Sequence, residues 1–170
     1  MESFQNAFKT TLGEIFKLEN VQVVAANNKA QKGVPIEDFL DSAISNRFAE
    51  KIHIPLPTKE QMQDSFIKHF QKMKEKCVDK ELLDVTTAEG KSFWNKICEY
   101  ITNDSHNASY RDFNYILTNA KLFSESADRA AGSPINKKDL VEAVIKHSNN
   151  SNWDENLTNA FKNEFKDLLK

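Results

Sequence analysis

The pattern of apolar and polar positions changes once along the chain, near Pro57. Before that point helical and strand-like periods alternate. Residues 3–18 place Phe4, Ala7, Phe8, Leu12, Ile15 and Phe16 on one face, which predicts an amphipathic helix. Residues 21–26 are β-branched and nearly all apolar, the pattern of a short buried parallel strand. Asn27 and Asn28 end it in a turn-prone pair, and Pro35 suits the first turn of a helix reaching about Ile44. Ile52, Ile54 and Leu56 then alternate with other residue types as far as Pro57, which reads as a strand near a sheet edge.

After Pro57 every period is helical. Thr58-Lys59-Glu60-Gln61 is a capping box. Behind it Met62, Phe66, Phe70, Met73 and Cys77 form one stripe. Leu82-Leu83 marks a short helix, and Phe93, Trp94, Ile97, Cys98 and Ile101 mark another. Gly90-Lys91-Ser92 reads as a loop ending in a helix N-cap. Ser109-Tyr110-Arg111-Asp112 is a second capping signal, ahead of Phe113, Ile116, Leu117, Ala120 and Phe123. Pro134-Ile135-Asn136 precedes a helix carrying Leu140, Val141, Val144 and Ile145. Residues 148–152 read as a linker to a last helix with Leu157, Ala160, Phe161, Phe165 and Leu168. The expected fold class is mostly α. An incomplete α/β piece, two strands of a parallel sheet with flanking helices, is followed by an all-helical bundle. Two strands alone do not make a stable buried sheet, so the pattern implies further strands ahead of this segment.

Composition narrows the classes. Apolar residues make up 39% of the 170, with 12 Phe, enough for a core and against disorder. The net charge is −2, from 23 basic and 25 acidic residues mixed along the chain, which gives no ground for nucleic acid or an anionic membrane as partner. No apolar run approaches the length of a membrane span, and no signal peptide is seen. Cys77 and Cys98 lack ligand partners at zinc spacing, so no metal site is expected. Both sit in helical apolar patterns and read as reduced, buried thiols, from which a cytoplasmic location is expected. Against 20 Lys stand three Arg: Arg47, Arg111 and Arg129. A guanidinium grips phosphate oxygens in a fixed fork, as an ammonium cannot. Arg129 carries no functional reading in sequence.

Two stretches resemble the later half of AAA+ ATPase modules. Val21-Gln22-Val23-Val24-Ala25-Ala26-Asn27-Asn28 is similar to the family's sensor-1 strand, an apolar run ending in Thr-Asn. Leu40-Asp41-Ser42-Ala43-Ile44-Ser45-Asn46-Arg47-Phe48, then Ile52-His53-Ile54-Pro55-Leu56-Pro57, resembles the arginine-finger segment and the strand ending Leu-Pro. Thr58 to Phe70 resembles the first lid helix, and Ser109-Tyr110-Arg111-Asp112-Phe113 the small motif opening a later one. Residues 135–145, with Asp139-Leu140, resemble the segment just before the end of the lid. The resemblance covers about residues 4–147 and implies three parts: residues 1–57 from the α/β subdomain, 58–148 as helical lid, and 149–170 as linker and C-terminal helix.

By this resemblance Asn28 is the sensor-1 residue, able to orient an attacking water through its donor and acceptor atoms. Arg47 falls in the arginine-finger region. It is open between that role in a neighbouring subunit and a structural pairing with Asp41 or Glu50, since Ser45 and Asn46 stand where many relatives carry further arginines. Ser109, Tyr110 and Arg111 fall near the nucleotide. Tyr110 replaces the family's glycine there, and its bulk would crowd an adenine. The resemblance implies ATP and Mg²⁺ as cofactors of an intact parent, a homo-oligomeric ring, and a protein substrate to remodel. The phosphate loop G-x-x-x-x-G-K-[ST] is not found: the pattern around Gly90-Lys91-Ser92 needs glycine at 85, where Val85 stands. The acidic pair for Mg²⁺ would fall just before residue 1. The chain alone is therefore expected to bind no nucleotide tightly and to turn over no ATP. The alternative expectation is a non-enzymatic helical interaction or adaptor domain derived from a degenerate AAA+ module.

Overall fold

The structure, a computed structural model, describes residues 7, 10, 11, 13–15, 17, 18, 22–24, 48, 50, 52, 54–73, 77–126, 129 and 132–170. The chain divides into two compact units, Met1–Pro55 and Leu56–Lys170.

In the first unit the described residues between 7 and 15 are helical. Thr11 Oγ1 donates to the Ala7 carbonyl at 3.0 Å. The Lys17 and Leu18 amides close on Glu14 and Ile15 where the helix ends. The helix expected from Pro35 lies outside the described residues. The two expected strands are not shown. Residues 22–24, 52 and 54–57 belong to no strand, and the rest of both stretches lies outside the described residues. Val24, Ile52 and Ile54 are 85%, 76% and 81% exposed, whereas a parallel strand owes its stability to covered faces.

The second unit is mostly α, and its helices start where side chains can satisfy free amides. Helix α1 (Lys59–Lys72) opens on the expected capping box. Thr58 N donates to Gln61 Oε1 at 3.0 Å, and Gln61 N donates to Thr58 Oγ1 at 3.3 Å. Such a cap contributes about 1 kcal/mol. Asp79 caps α2 (Lys80–Leu83), Thr87 caps α3 (Ala88–Ile101) and Ser109 caps α4 (Tyr110–Ser124). Asn136 caps α5 (Lys137–Asn150) and Asp154 caps α6 (Glu155–Glu164). Two expectations are corrected here. Gly90 is inside α3, because Thr87 rather than Ser92 takes the cap. Residues 148–150 are no linker but the last turn of α5, where Ser148 is buried. The chain turns at Asn152 (φ 52°), a left-handed position that Asn tolerates.

The core is aromatic and centred on α3. Trp94 is fully buried and donates from Nε1 to the Leu82 carbonyl at 3.1 Å. Phe66 of α1 lies 5.6 Å from Trp94 and meets Phe113 of α4 edge-on at 4.6 Å. On α6, Phe161 stacks on Tyr100 at 4.2 Å and Phe165 meets Phe93 at 5.7 Å. The final helix therefore packs into the bundle through Phe161 and Phe165. Tyr100 Oη is 2.7 Å from Ser148 Oγ and 2.8 Å from Thr158 Oγ1, which are 2.6 Å apart, so three buried hydroxyls satisfy one another. Cys77 and Cys98 are free thiols, and burial pushes Cys98 up to about 12.

One isolated parallel bridge, Val78 to Ile135, joins the entrance of α2 to that of α5. Ile135 N donates to Cys77 O (2.9 Å) and Asp79 N to Ile135 O (2.8 Å). Arg129 braces this bridge. Its Nη1 donates to both Asp139 oxygens (2.7 and 2.5 Å) and its Nη2 to Pro134 O at 2.8 Å. Lys137 sits between Glu81 (3.3 Å) and Glu89 (3.2 Å) with its ammonium 5.6 Å from the Phe93 ring centre. Burial lowers its pKa, but the two carboxylates outweigh that and raise it.

A Cβ at Gly90 would stand 2.0 Å from the backbone oxygen of Asp84. Gly to Ala inside a helix ordinarily gains about 1 kcal/mol. Gly90→Ala is instead expected to cost about 1–3 kcal/mol through overpacking, read as a lower urea midpoint. Arg129→Ala leaves Asp139, 4% exposed, without its cation and is expected to cost about 1–3 kcal/mol. Arg129→Lys should recover only part of the loss, because the fork is gone.

Candidate functional site

Asn28 and Arg47 lie outside the described residues. Ser109, Tyr110 and Arg111 form the N-terminus of α4, where it meets the C-terminal end of α5. Ser109 is committed to the cap. Its backbone N–H and hydroxyl both donate to Asp112 Oδ2 at 2.7 Å, and its hydroxyl accepts from Arg111 N at 3.2 Å. Tyr110 is 46% exposed and Arg111 is exposed. The Ser109 hydroxyl is engaged in the cap, while the Tyr110 and Arg111 side chains lie exposed.

What converges here is a second set. His147, buried at the end of α5, places Nε2 at 2.9 Å from Asp112 Oδ1. Burial raises the Asp112 pKa. Hydrogen bonds from His147 and from the Ser109 backbone and hydroxyl outweigh it and hold the carboxyl at about 2. Asp112 is thus an ionised acceptor near neutral pH, and His147 Nε2–H must be the donor. Ser151 Oγ stands 3.2 Å from the same nitrogen. Tyr115 lies face-on to His147 at 5.9 Å, and Trp153 meets it edge-on at 5.2 Å.

Ser, His and Asp in contact invite comparison with a nucleophilic triad, and the geometry excludes it. A triad needs the hydroxyl on one ring nitrogen and the carboxylate on the other. Here Ser151 and Asp112 share Nε2. The network is a clasp between α4 and α5. Sequence reading found Asp112 through its capping signal but missed His147, because their separation leaves no local pattern.

Among the described residues no group of three or more His, Cys, Asp or Glu could hold a metal ion. Nor is any helix there long and apolar enough to cross a membrane. A shallow cleft of about 590 Å³, with Phe123, Ile145 and Leu169 between Lys146 and Lys162, contains none of the sequence-predicted site residues. Compared with known protein families, curated proteins and solved structures, the chain matches none.

The folded pKa of Asp112 lies below the unfolded value of about 3.9. Its stabilisation is therefore full above about pH 4 and is lost as pH falls through about 2. Asp112→Asn is expected to flatten the decline of the urea midpoint over that window. An unchanged slope in the variant would assign the decline to other carboxylates.

Proposed function

We propose that this chain is the sensor-1-to-lid part of an AAA+ ATPase module, and that the intact protein is an ATP-driven, ring-forming remodeller of proteins. The observation that carries the reading is the ordered pair of signatures in the sequence: the apolar run ending at Asn28, then Leu40-Asp41, Arg47-Phe48 and Leu56-Pro57 at matching spacing. Further support comes from the helical unit Leu56–Lys170, which packs around a core of its own. A lid that opens and closes as one body needs such a unit.

In this reading residues 21–26 and 52–56 are two strands of a parallel sheet completed by the rest of the module. Asn28 serves as sensor 1, and Arg47 faces the neighbouring subunit. The Ser109-capped end of α4 is the part of the lid turned toward ATP and Mg²⁺. The protein works in the cytoplasm on a protein substrate, not on nucleic acid or a membrane.

A second reading, a helical interaction domain without enzymatic activity, is favoured by α4. It leaves Tyr110, Tyr115 and Leu122 exposed, and tyrosine is over-represented among residues that dominate interfaces. Loss of a partner on substituting Tyr115 and Leu122, in a protein that still hydrolyses no ATP when intact, would favour this second reading.

The purified chain is expected to turn over no ATP. The coding sequence ahead of Met1 is expected to hold a Gly-rich phosphate loop and an apolar strand ending in Asp-Glu, within about one domain's length of 100–150 residues. Hydrolysis by the chain alone that Asn28→Ala abolishes, or upstream sequence without a phosphate loop, would overturn the AAA+ reading.

A further inference from the structure

His106 lies in the loop between α3 and α4 and is 7% exposed. One ring nitrogen is used and the other is not. Nδ1 is 2.8 Å from the Tyr100 carbonyl, which can only accept, so Nδ1 carries the proton. Nε2 is buried with no hydrogen-bond partner. The ring lies flat on Trp153 at 4.3 Å with an interplanar angle of 5°, and meets Tyr100 at 4.8 Å. Trp153 occupies the turn between α5 and α6, and Tyr100 stacks on Phe161 of α6. His106, Tyr100, Trp153 and Phe161 therefore make one aromatic connection between the loop and the final helix.

We propose that His106 is an acid-sensitive latch: one proton taken up by its ring releases the Trp153 turn, and α6 behind it, from the bundle. A second proton would make Nε2 a donor with nothing to accept from it, inside an aromatic shell. A buried polar group without a partner is costly, and a charged one more so.

The groups facing the ring do not reverse this. Asp154, at the head of α6, attracts the charge, and the Trp153 face favours a cation stacked on it. His147, edge-on to Trp153, is tied to Asp112. The Tyr100 hydroxyl is tied to Ser148 and Thr158, and Asp104 lies exposed on the same loop. Burial holds the His106 pKa below that of a free histidine, against the pull of the Tyr100 carbonyl and Asp154. With the folded value depressed, the contact is at full strength above the unfolded value of about 6.5. It weakens as pH falls below that, until the folded ring itself titrates. For one proton the opening equilibrium rises by at most about tenfold per pH unit.

The test is amide hydrogen exchange on the full chain at pH 7 and pH 5, corrected for intrinsic rates. Protection of the α6 amides is expected to fall from pH 7 to pH 5 in the wild type and in His147→Gln, by no more than the roughly tenfold per pH unit that one proton allows, and to stay flat in His106→Gln. A wild-type response in His106→Gln, or its loss in His147→Gln, overturns the latch. Should His106→Gln fail to fold, ring titration of the wild type by NMR decides. His106 must titrate below the unfolded histidine value of about 6.5, and a midpoint at or above it overturns the proposal equally.

Discussion

The bundle depends on α3 being apolar on two sides at once. One side receives Phe66 and Phe70 of α1 around Trp94. The other receives α6 through Tyr100 with Phe161 and Phe93 with Phe165. A surface helix needs a single apolar stripe. This one buries seven of its fourteen residues, Gly90 among them. Being covered on both sides leaves little space at its start, and the chain entering from α2 crosses so close that position 90 has no room for a methyl group. Trp94 brings a polar N–H into the same core, and the Leu82 carbonyl takes it up. The helix with the most buried apolar residues thereby also fixes where α2 must lie.

The helical half of the fold was legible because its signals are local. A capping residue and an apolar stripe sit within one or two turns of each other, and the starts read at Thr58 and Ser109 are where the helices begin. The departures have physical causes. At Gly90 the competing cap, Thr87, won because its hydroxyl faces the Gly90 amide at 3.1 Å. The polar run at 148–150 looked like a linker, yet Ser148 turns inward to hydroxyl partners that lie 48 and 10 positions away. The use of Arg129 was illegible for the same reason: its carboxylate, Asp139, lies beyond the turn at Gly132 and the bridge at Ile135. Asn28 and Arg47 stay readings of sequence alone.

The candidate site divides along similar lines. Sequence pointed to Ser109, Tyr110 and Arg111 as neighbours of a nucleotide. In the structure these residues start a helix and leave two long side chains on the surface. The polar chemistry is one residue further on, at Asp112, and its partner comes from another helix. Of the two residues that hold this segment, Asp112 lies within the stretch quoted for the resemblance, and His147 does not.

Asp112 serves three donors at once: the Ser109 amide, the Ser109 hydroxyl and the His147 imidazole. The start of α4 and its tie to α5 are therefore not separate devices. Removing either donor residue changes how tightly the carboxylate holds the other, so the energetic effects of changes at Ser109 and His147 do not add. Genetically, the two positions form an epistatic pair. A substitution tolerated at one depends on which residue stands at the other, although the two lie on different helices and far apart in the chain.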